Sequence, residues 1–402
     1  DVARDNYRGI VQFIKSVGGA DDAIILNAEG QQDVFGYYYE QEPTLNVPVY
    51  PLPQRRPLDE AATLSELETI AAGANKIFAV YWATQQADPN GVIENWLDTH
   101  LFKATDQWYG NVRLVSYAAT QVNQPYQTVN YRWNGGIQLV GVALSTTKIT
   151  PGDILQVGLQ WQTEVPQTEN YTVFLQVLDA NNHLVGQRDA PPLVPTSAWP
   201  VNKPIADSHG IFIEPGTPPG AHRLIIGLYH SETGQRLPVA GQSEPQDFVV
   251  LDELEVTRPT VSLPVGAFRI QEPVDATQQG LRLVGYDFYK LGQRSNPASP
   301  LQPGDPVQLV AYWALDGAEI RLTDEIEIEL IDSRGRATGV AVTRPVAGVD
   351  LPLAQWPPGE VIRAQYDFLL RVEPGVYRLR LTVRGQDNTE PFEVDTKVFR
   401  IG

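Results

Sequence analysis

Apolar residues recur at Tyr7, Ile10, Val11, Ile14 and Val17, one face of a helical period, which predicts an amphipathic helix over residues 5–17. "AIILN" at 23–27 is short and apolar throughout, as in a strand buried on both faces of a parallel sheet. "QDVFGYYYE" follows as a helix, and "VPVYPLP" at 47–53 as a proline-limited edge. "LDEAATLSELETIAAGA" reads as a helix with acidic residues near its start and Gly73 near its end. "KIFAVYWAT" is a second buried strand, "NGVIENWLDTHL" a helix, and "VRLVSYAA" at 112–119 a closing strand. Strands spaced by helices predict a small, open, Rossmann-like α/β sandwich over residues 1–122.

Beyond residue 120 the helical period disappears. "LQVGLQWQT", "YTVFLQVLD" and "HRLIIGLYH" are strand-length runs divided by turn signals such as "PGD", "DANN" and "PPG". That punctuation predicts immunoglobulin-like β-sandwiches. The runs also repeat. "IQLVGVAL" at 137–144 returns as "LRLVGYDF" at 281–288, and "PGDILQVGLQW" at 151–161 as "PGDPVQLVAYW" at 303–313. "FLQVLDANNHLVG" matches "IELIDSRGRATG", "PPGAHRLIIGLY" matches "EPGVYRLRLTV", and Trp199-Pro200 corresponds to Trp356-Pro357. The fold class is therefore multidomain, α/β plus all-β, with tandem sandwiches at 123–257 and 258–402. Residues 258–280 form a linker or an edge strand. Superposition is expected to pair Trp161 with Trp313 and Asp153 with Asp305. Asn181-Asn182 and Arg334-Gly335 lie near hairpin tips, where positive φ is tolerated.

Composition narrows the function. The formal charge is −18, and the three segments carry 8, 6 and 16 basic residues against 16, 13 and 19 acidic ones. No segment has the basic footprint that nucleic acid or anionic lipid requires. Cysteine is absent, which removes disulfides, thiolate nucleophiles and cysteine-ligated metals. Methionine is absent too, so the chain reads as a processed product or a fragment of something longer. No stretch approaches the ~20 apolar residues of a membrane helix.

The loop "NAEGQQD" after the first strand stands where nucleotide-binding proteins hold phosphate, but it has one glycine, Gly30, and acidic flanks in Glu29 and Asp33. No nucleotide is expected to bind, and no cofactor. The five histidines have no metal spacing, and surface positions are expected for His222 and His230. No nucleophile elbow or P-loop occurs. Trp133, Trp199 and Trp356 lie in loop-like sequence, so each either packs over a sandwich end or offers a sugar-stacking face.

The first 120 residues, from "RDNYRGIVQFIKSVGGADDAIILNAEGQQDVFGYYYE" to "NVRLVSYA", resemble the soluble segment that follows the membrane helices of polytopic GT-C class glycosyltransferases. Those enzymes are similar to protein mannosyltransferases and aminoarabinose transferases and use lipid-phosphate-linked sugars. The two sandwiches resemble those appended to such proteins in filamentous green, Chloroflexus-like bacteria. The resemblance implies an extracytoplasmic region anchored by transmembrane helices outside this chain. The family's catalytic carboxylates lie on loops between those helices, so it carries no catalytic residue over.

The leading expectation is thus a non-catalytic region that positions acceptor glycan or a protein partner at the cell surface. The alternatives are a stand-alone carbohydrate-binding or adhesion module, and an enzyme with its site between the α/β domain and the first sandwich. In open α/β sheets ligands gather beyond the carboxyl ends of the strands. That edge should carry Glu29, Gln31 and Gln32 after the first strand, and Thr84, Gln85 and Gln86 after the second. Their amides suit sugar hydroxyls better than phosphate, with Tyr37 or Tyr38 as a stacking face. Alternatively they solvate two βα turns.

Overall fold

The computed structural model describes the chain apart from residues 1–4, 43–44, 120–123, 295, 297 and 318–319, and the side chains of residues 29, 340 and 341. The expected boundary near residue 122 falls outside the described residues. Strand is the main regular structure of the described chain, arranged as several sheets in a sandwich-rich, multidomain protein. It divides into two compact units, Asp1–Glu214 with Gly220–Thr257, and Pro215–Pro219 with Arg258–Gly402.

The first unit opens with α1 (Tyr7–Val17), β1 (Ala23–Leu26), α2 (Gln32–Gln41), β2 (Val49–Pro51), α3 (Glu60–Gly73) and β3 (Lys76–Tyr81). A short α4 (Thr84–Ala87), α5 (Val92–His100), β4 (Phe102–Tyr109) and β5 (Val112–Ala118) complete this part. The strands form one sheet in the order β2-β1-β3-β5-β4. β2, β1 and β3 are parallel, while β5 runs antiparallel to both β3 and β4.

Both faces of the central strands are covered, which is why β1 and β3 read as continuous apolar runs. Ile25, Ile77, Ala79, Val115 and Tyr117 share one core with Leu67 and Ile70 of α3 and Ile93 and Leu97 of α5. The alternate residues Ile24, Leu26, Phe78 and Val80 are also buried, and Gly18 at the end of α1 abuts Phe78. Asp59 caps α3 by accepting the Ala62 N–H at 3.1 Å. Asp59→Ala should therefore lower the unit's stability by about 1 kcal/mol in urea unfolding, and an unshifted midpoint would refute the cap.

Val112–Ala118 is the last strand of this part, as expected, but β4, which the pattern does not predict, pairs outside it as the edge. The connection is a tight Tyr109-Gly110-Asn111-Val112 hairpin with Gly110 at φ +68°. A Gly-Asn pair between two strand-like runs is a hairpin signal. It is masked here because "FKATDQWY" is too polar to read as a buried strand.

The same unit continues with β6 (Gln127–Trp133), β7 (Ile137–Leu144), β8 (Lys148–Ile149), β9 (Ile154–Thr163) and β10 (Tyr171–Leu178). Then come β11 (Leu184–Ala190), β12 (Ile205–Phe212), β13 (Gly220–His230) and β14 (Phe248–Val256). Two sheets result, β12-β9-β7-β6 and β11-β10-β13-β14-β8. β4 packs directly against β12, where Gly210 leaves no room for a side chain beside the Phe102 carbonyl and Ala104.

The second unit contains β15 (Glu272–Gln278), β16 (Leu281–Lys290), β17 (Pro306–Leu315), β18 (Leu322–Asp332) and β19 (Ala337–Pro345). β20 (Ile362–Leu369), β21 (Gly375–Gly385), β22 (Phe392–Asp395) and β23 (Phe399–Ile401) follow. Its sheets are β20-β17-β16-β15 and β19-β18-β21-β22, with β23 also pairing β21. Part of the stretch 258–280 is thus an edge strand.

The two sandwiches agree at the positions where the repeat predicts correspondence. Trp161 lies opposite Leu139 and Ile205, and Trp313 lies opposite Leu283 and Ile362. Gly152 and Gly304, both at positive φ, donate to Ile213 and Leu370 at 2.8 Å. Asp153 and Asp305 stand next in the same turn, and their carbonyls accept from Ile213 and Leu370 at 3.0 Å. Asn182 and Gly335 take positive φ at the two hairpin tips. The copies differ where continuous β14 is replaced by the broken pair β22 and β23. There Thr396 Oγ1 accepts the Leu379 N–H at 2.8 Å, and a side chain takes over part of the ladder.

Candidate functional site

The first sheet contains a point of divergence. From β1 the chain passes through α2 to β2 on one side, and then through α3 to β3 on the other. The loops leaving β1 and β3 separate there, and a crevice beyond the carboxyl ends of the strands is the usual consequence. A half-enclosed cavity of about 180 Å³ occupies that place, and Asn27, Tyr81, Thr84, Gln85, Asp88 and Glu94 line it.

Asn27 directly follows β1. Its backbone N–H donates to the Val80 carbonyl at 3.0 Å, which extends the β1–β3 ladder and fixes the residue. The side chain is 1 % exposed, and neither Nδ2 nor Oδ1 has a hydrogen-bond partner among the described residues. An unpaired buried polar group costs about 1–3 kcal/mol, so the amide calls for a hydrogen-bonding occupant.

The remaining wall is held from behind. Asp88 is buried, and its two carboxylate oxygens accept from Val92 N at 2.9 Å and Ile93 N at 2.8 Å, capping α5. Ala83 and Gly91, at φ +48° and +65°, make the sharp bends around α4. Glu94 pairs with Arg113 and, at 3.2 Å, with Lys103. Arg113 also lies over the Tyr81 ring, 4.8 Å from its centroid. Burial, with a smaller push from Glu94, raises the Tyr81 hydroxyl pKa well above its ordinary value, so it remains a donor.

Of the residues expected at this edge, Thr84 and Gln85 line the cavity. Gln86 and Gln32 are exposed nearby, and the Glu29 side chain lies outside the described ones. Gln31 is buried and does not line the cavity, with its Nε2 donating to Val80 O at 3.4 Å and its Oε1 unpartnered among the described residues. Tyr37 is 63 % exposed and meets Tyr38 edge-on at 5.1 Å, both on α2.

No protein family matches this chain, and neither does any curated protein. Solved structures do. The C-terminal domain of Wzt is 13 % identical over 33 % of this chain and 79 % of its own, with a TM-score of 0.25. The putative ApaA protein from Bordetella pertussis is 18 % identical over 32 % of this chain and 94 % of its own, with a TM-score of 0.20.

Of the two readings left open for the three tryptophans, packing holds and the sugar-stacking one is corrected, because all three are buried. Trp133 ends strand β6 rather than lying in a loop, and its ring stands 5.7 Å from that of Trp161. Trp199 and Trp356 are buried, each donating Nε1 to a carbonyl five residues earlier, Val194 at 2.8 Å and Leu351 at 3.1 Å. Two tryptophans are exposed among the described residues, Trp108 on β4 and Trp82, which reads in sequence as part of an apolar run. Trp82 is 36 % exposed, with its ring alongside Gly30. Asn27, Tyr81, Asp88 and Glu94 were missed as well. The available signal was the first polar residue after four apolar strand residues, together with "ADPNG" ahead of a helix.

Histidine placement needs correction too. His222 is buried, with Nδ1 3.0 Å from the Gly220 carbonyl, and burial lowers its pKa. His209 is buried against Asp207, a pairing invisible at a two-residue spacing until both prove to face inward. Among the described residues no group of three or more His, Asp or Glu could hold a metal ion, and no helix is long and apolar enough to cross a membrane.

Proposed function

We propose that this chain is the non-catalytic extracytoplasmic region of a membrane-bound glycosyltransferase-like protein, and that it positions a glycan acceptor. In this reading the first sheet and its helices are a Rossmann-like domain, followed by two immunoglobulin-like sandwiches. The membrane anchor and the transferase rest on the resemblance of the first 120 residues and lie outside this chain.

The observation that supports a binding role is the cavity with its unpartnered Asn27 amide. Amide, hydroxyl and carboxylate groups are what sugar hydroxyls pair with, because each hydroxyl both donates and accepts. Asp88 and Glu94 oppose a phosphate, and the single glycine of the preceding loop gives one little backbone to contact. Both carboxylates are also committed, Asp88 to the α5 cap and Glu94 to two cations, which favours holding a ligand over acid–base chemistry on it.

Two experiments test the reading. The coding sequence upstream of Asp1 should contain eight or more apolar segments, and a lone signal peptide would instead support a free-standing carbohydrate-binding or adhesion module. In the full-length protein, the double change Thr84→Ala and Gln85→Ala should raise the acceptor KM about tenfold while kcat is kept, as expected for one or two lost hydrogen bonds. An unchanged KM in a folded protein would retire the site.

A further inference from the structure

We infer that the cavity recognises one terminal unit of a neutral glycan, taken end-on, with Asn27 as its main contact and Trp82 as the face for the next unit. This rests on the reading that the cavity binds glycan, and adds which part of the glycan it reads.

Size sets the first limit. The cavity measures about 180 Å³, below the roughly 300–1,000 Å³ of sites that enclose drug-sized ligands. One sugar ring suits that volume and a disaccharide does not. The cavity is half-enclosed, with Asn27 after β1 and Tyr81 at the end of β3 in its wall, so a ligand that enters leaves its chain on the open side.

Chemistry sets the second. The Asn27 amide offers an acceptor and a donor side by side, both unpartnered and both buried. Adjacent hydroxyls on a sugar ring match that pair, each able to donate to one atom and accept from the other. Tyr81 adds a protonated phenol at the back. Full charge has no counterpart here. The Glu94 carboxylate already faces Arg113 and Lys103, and Lys103 also pairs with Asp98 and Asp106. A cationic amino sugar would therefore find both lining carboxylates engaged, Glu94 by Arg113 and Lys103 and Asp88 by the Val92 and Ile93 N–H groups, and a phosphate would be opposed by the same two carboxylates.

Trp82 sets the third. It stands in the step between two lining residues, Tyr81 and Thr84, and is partly exposed. Gly30 has no side chain to cover it, and a ring edge lies alongside. An exposed indole at this point can stack on the apolar face of a second sugar.

The test is a calorimetric titration of the folded chain with the methyl pyranosides of glucose, galactose and mannose. It is repeated with a linear trisaccharide of each sugar, and with the same trisaccharides carrying O-methyl groups on the terminal unit. At least one methyl pyranoside should bind, its trisaccharide should bind up to about tenfold tighter, and the terminally O-methylated form should not bind. Asn27→Ala should weaken pyranoside and trisaccharide alike by tenfold or more. Trp82→Ala should weaken only the trisaccharide, returning it to the affinity of the pyranoside. Should Asn27→Ala fail to fold, Gln85→Ala should weaken both ligands several-fold. Equal binding of free and O-methylated trisaccharides would overturn end-on recognition while leaving glycan binding intact, as would undiminished binding by folded Asn27→Ala. A folded chain that binds none of these sugars, or binds inorganic phosphate in their place, overturns this inference and glycan binding together.

Discussion

Asp207→Ala is expected to destabilise the first unit by about 3–5 kcal/mol, because it removes the shared acceptor of several buried donors and leaves them unsatisfied at roughly 1–3 kcal/mol each. Asp207 and His209 are both buried on β12, with the carboxylate 2.6 Å from His209 Nε2. The same carboxylate accepts from Trp161 Nε1 at 3.3 Å, Leu193 N at 3.3 Å and Ser208 N at 3.1 Å. Alanine would leave the indole, the imidazole and a loop N–H without this acceptor. Asp207→Asn keeps an oxygen in place and should cost less.

The effect has a pH signature. Burial acts to raise the Asp207 pKa, but His209, through charge and hydrogen bond, the Leu193 N–H and the Trp161 indole outweigh it and hold the carboxyl below its ordinary range. A depressed folded pKa means the stabilisation is complete above the unfolded value of about 3.9 and is lost as pH falls through the folded value. Urea unfolding of wild type and Asp207→Ala should therefore differ by a constant amount near neutrality, and the gap should close below about pH 4. A gap that persists unchanged into that range would show that the carboxylate's charge contributes nothing.

The two sandwiches were legible because the repeat is carried by local turn chemistry. Pro-Gly-Asp at 151–153 and 303–305 needs a glycine at positive φ, and that requirement leaves the same mark in both copies. The edge strand β4 was not legible, since one exposed side and several polar residues erase the period that reveals buried strands. The tryptophans stayed ambiguous for a related reason. Trp199 and Trp356 each follow a single helical turn, so their surroundings look like loop although the rings are buried beneath it. At the candidate site, topology gave the correct edge but not the correct amides. Gln31 and Asn27 sit four residues apart, and only the paired β1–β3 ladder decides that Asn27 borders the cavity while Gln31 turns inward.

Because the copies are matched at Trp161 and Trp313, they allow one interaction to be isolated from packing. Both indoles are fully buried at equivalent strand positions, and truncating either to alanine should cost about 3–5 kcal/mol in its own unit. Their Nε1 partners differ. Trp161 donates to the Asp207 carboxylate, whereas Trp313 donates to the Tyr366 hydroxyl at 3.1 Å. Tyr366 is also buried, and desolvation raises its pKa so that it stays a phenol and donates in turn to the Val346 carbonyl. Tryptophan to phenylalanine removes a similar volume in each copy but a different hydrogen bond. Losing a bond to a charged acceptor costs about 1.5–3 kcal/mol, and losing a neutral one about 0.5–1.5 kcal/mol. Trp161→Phe should thus destabilise the first unit by about 1–2 kcal/mol more than Trp313→Phe destabilises the second, measured by urea unfolding at neutral pH. The excess should disappear in the Asp207→Asn background, where both indoles face a neutral acceptor. Equal costs at neutral pH, or an excess that survives Asp207→Asn, would mean that packing alone separates the two tryptophans.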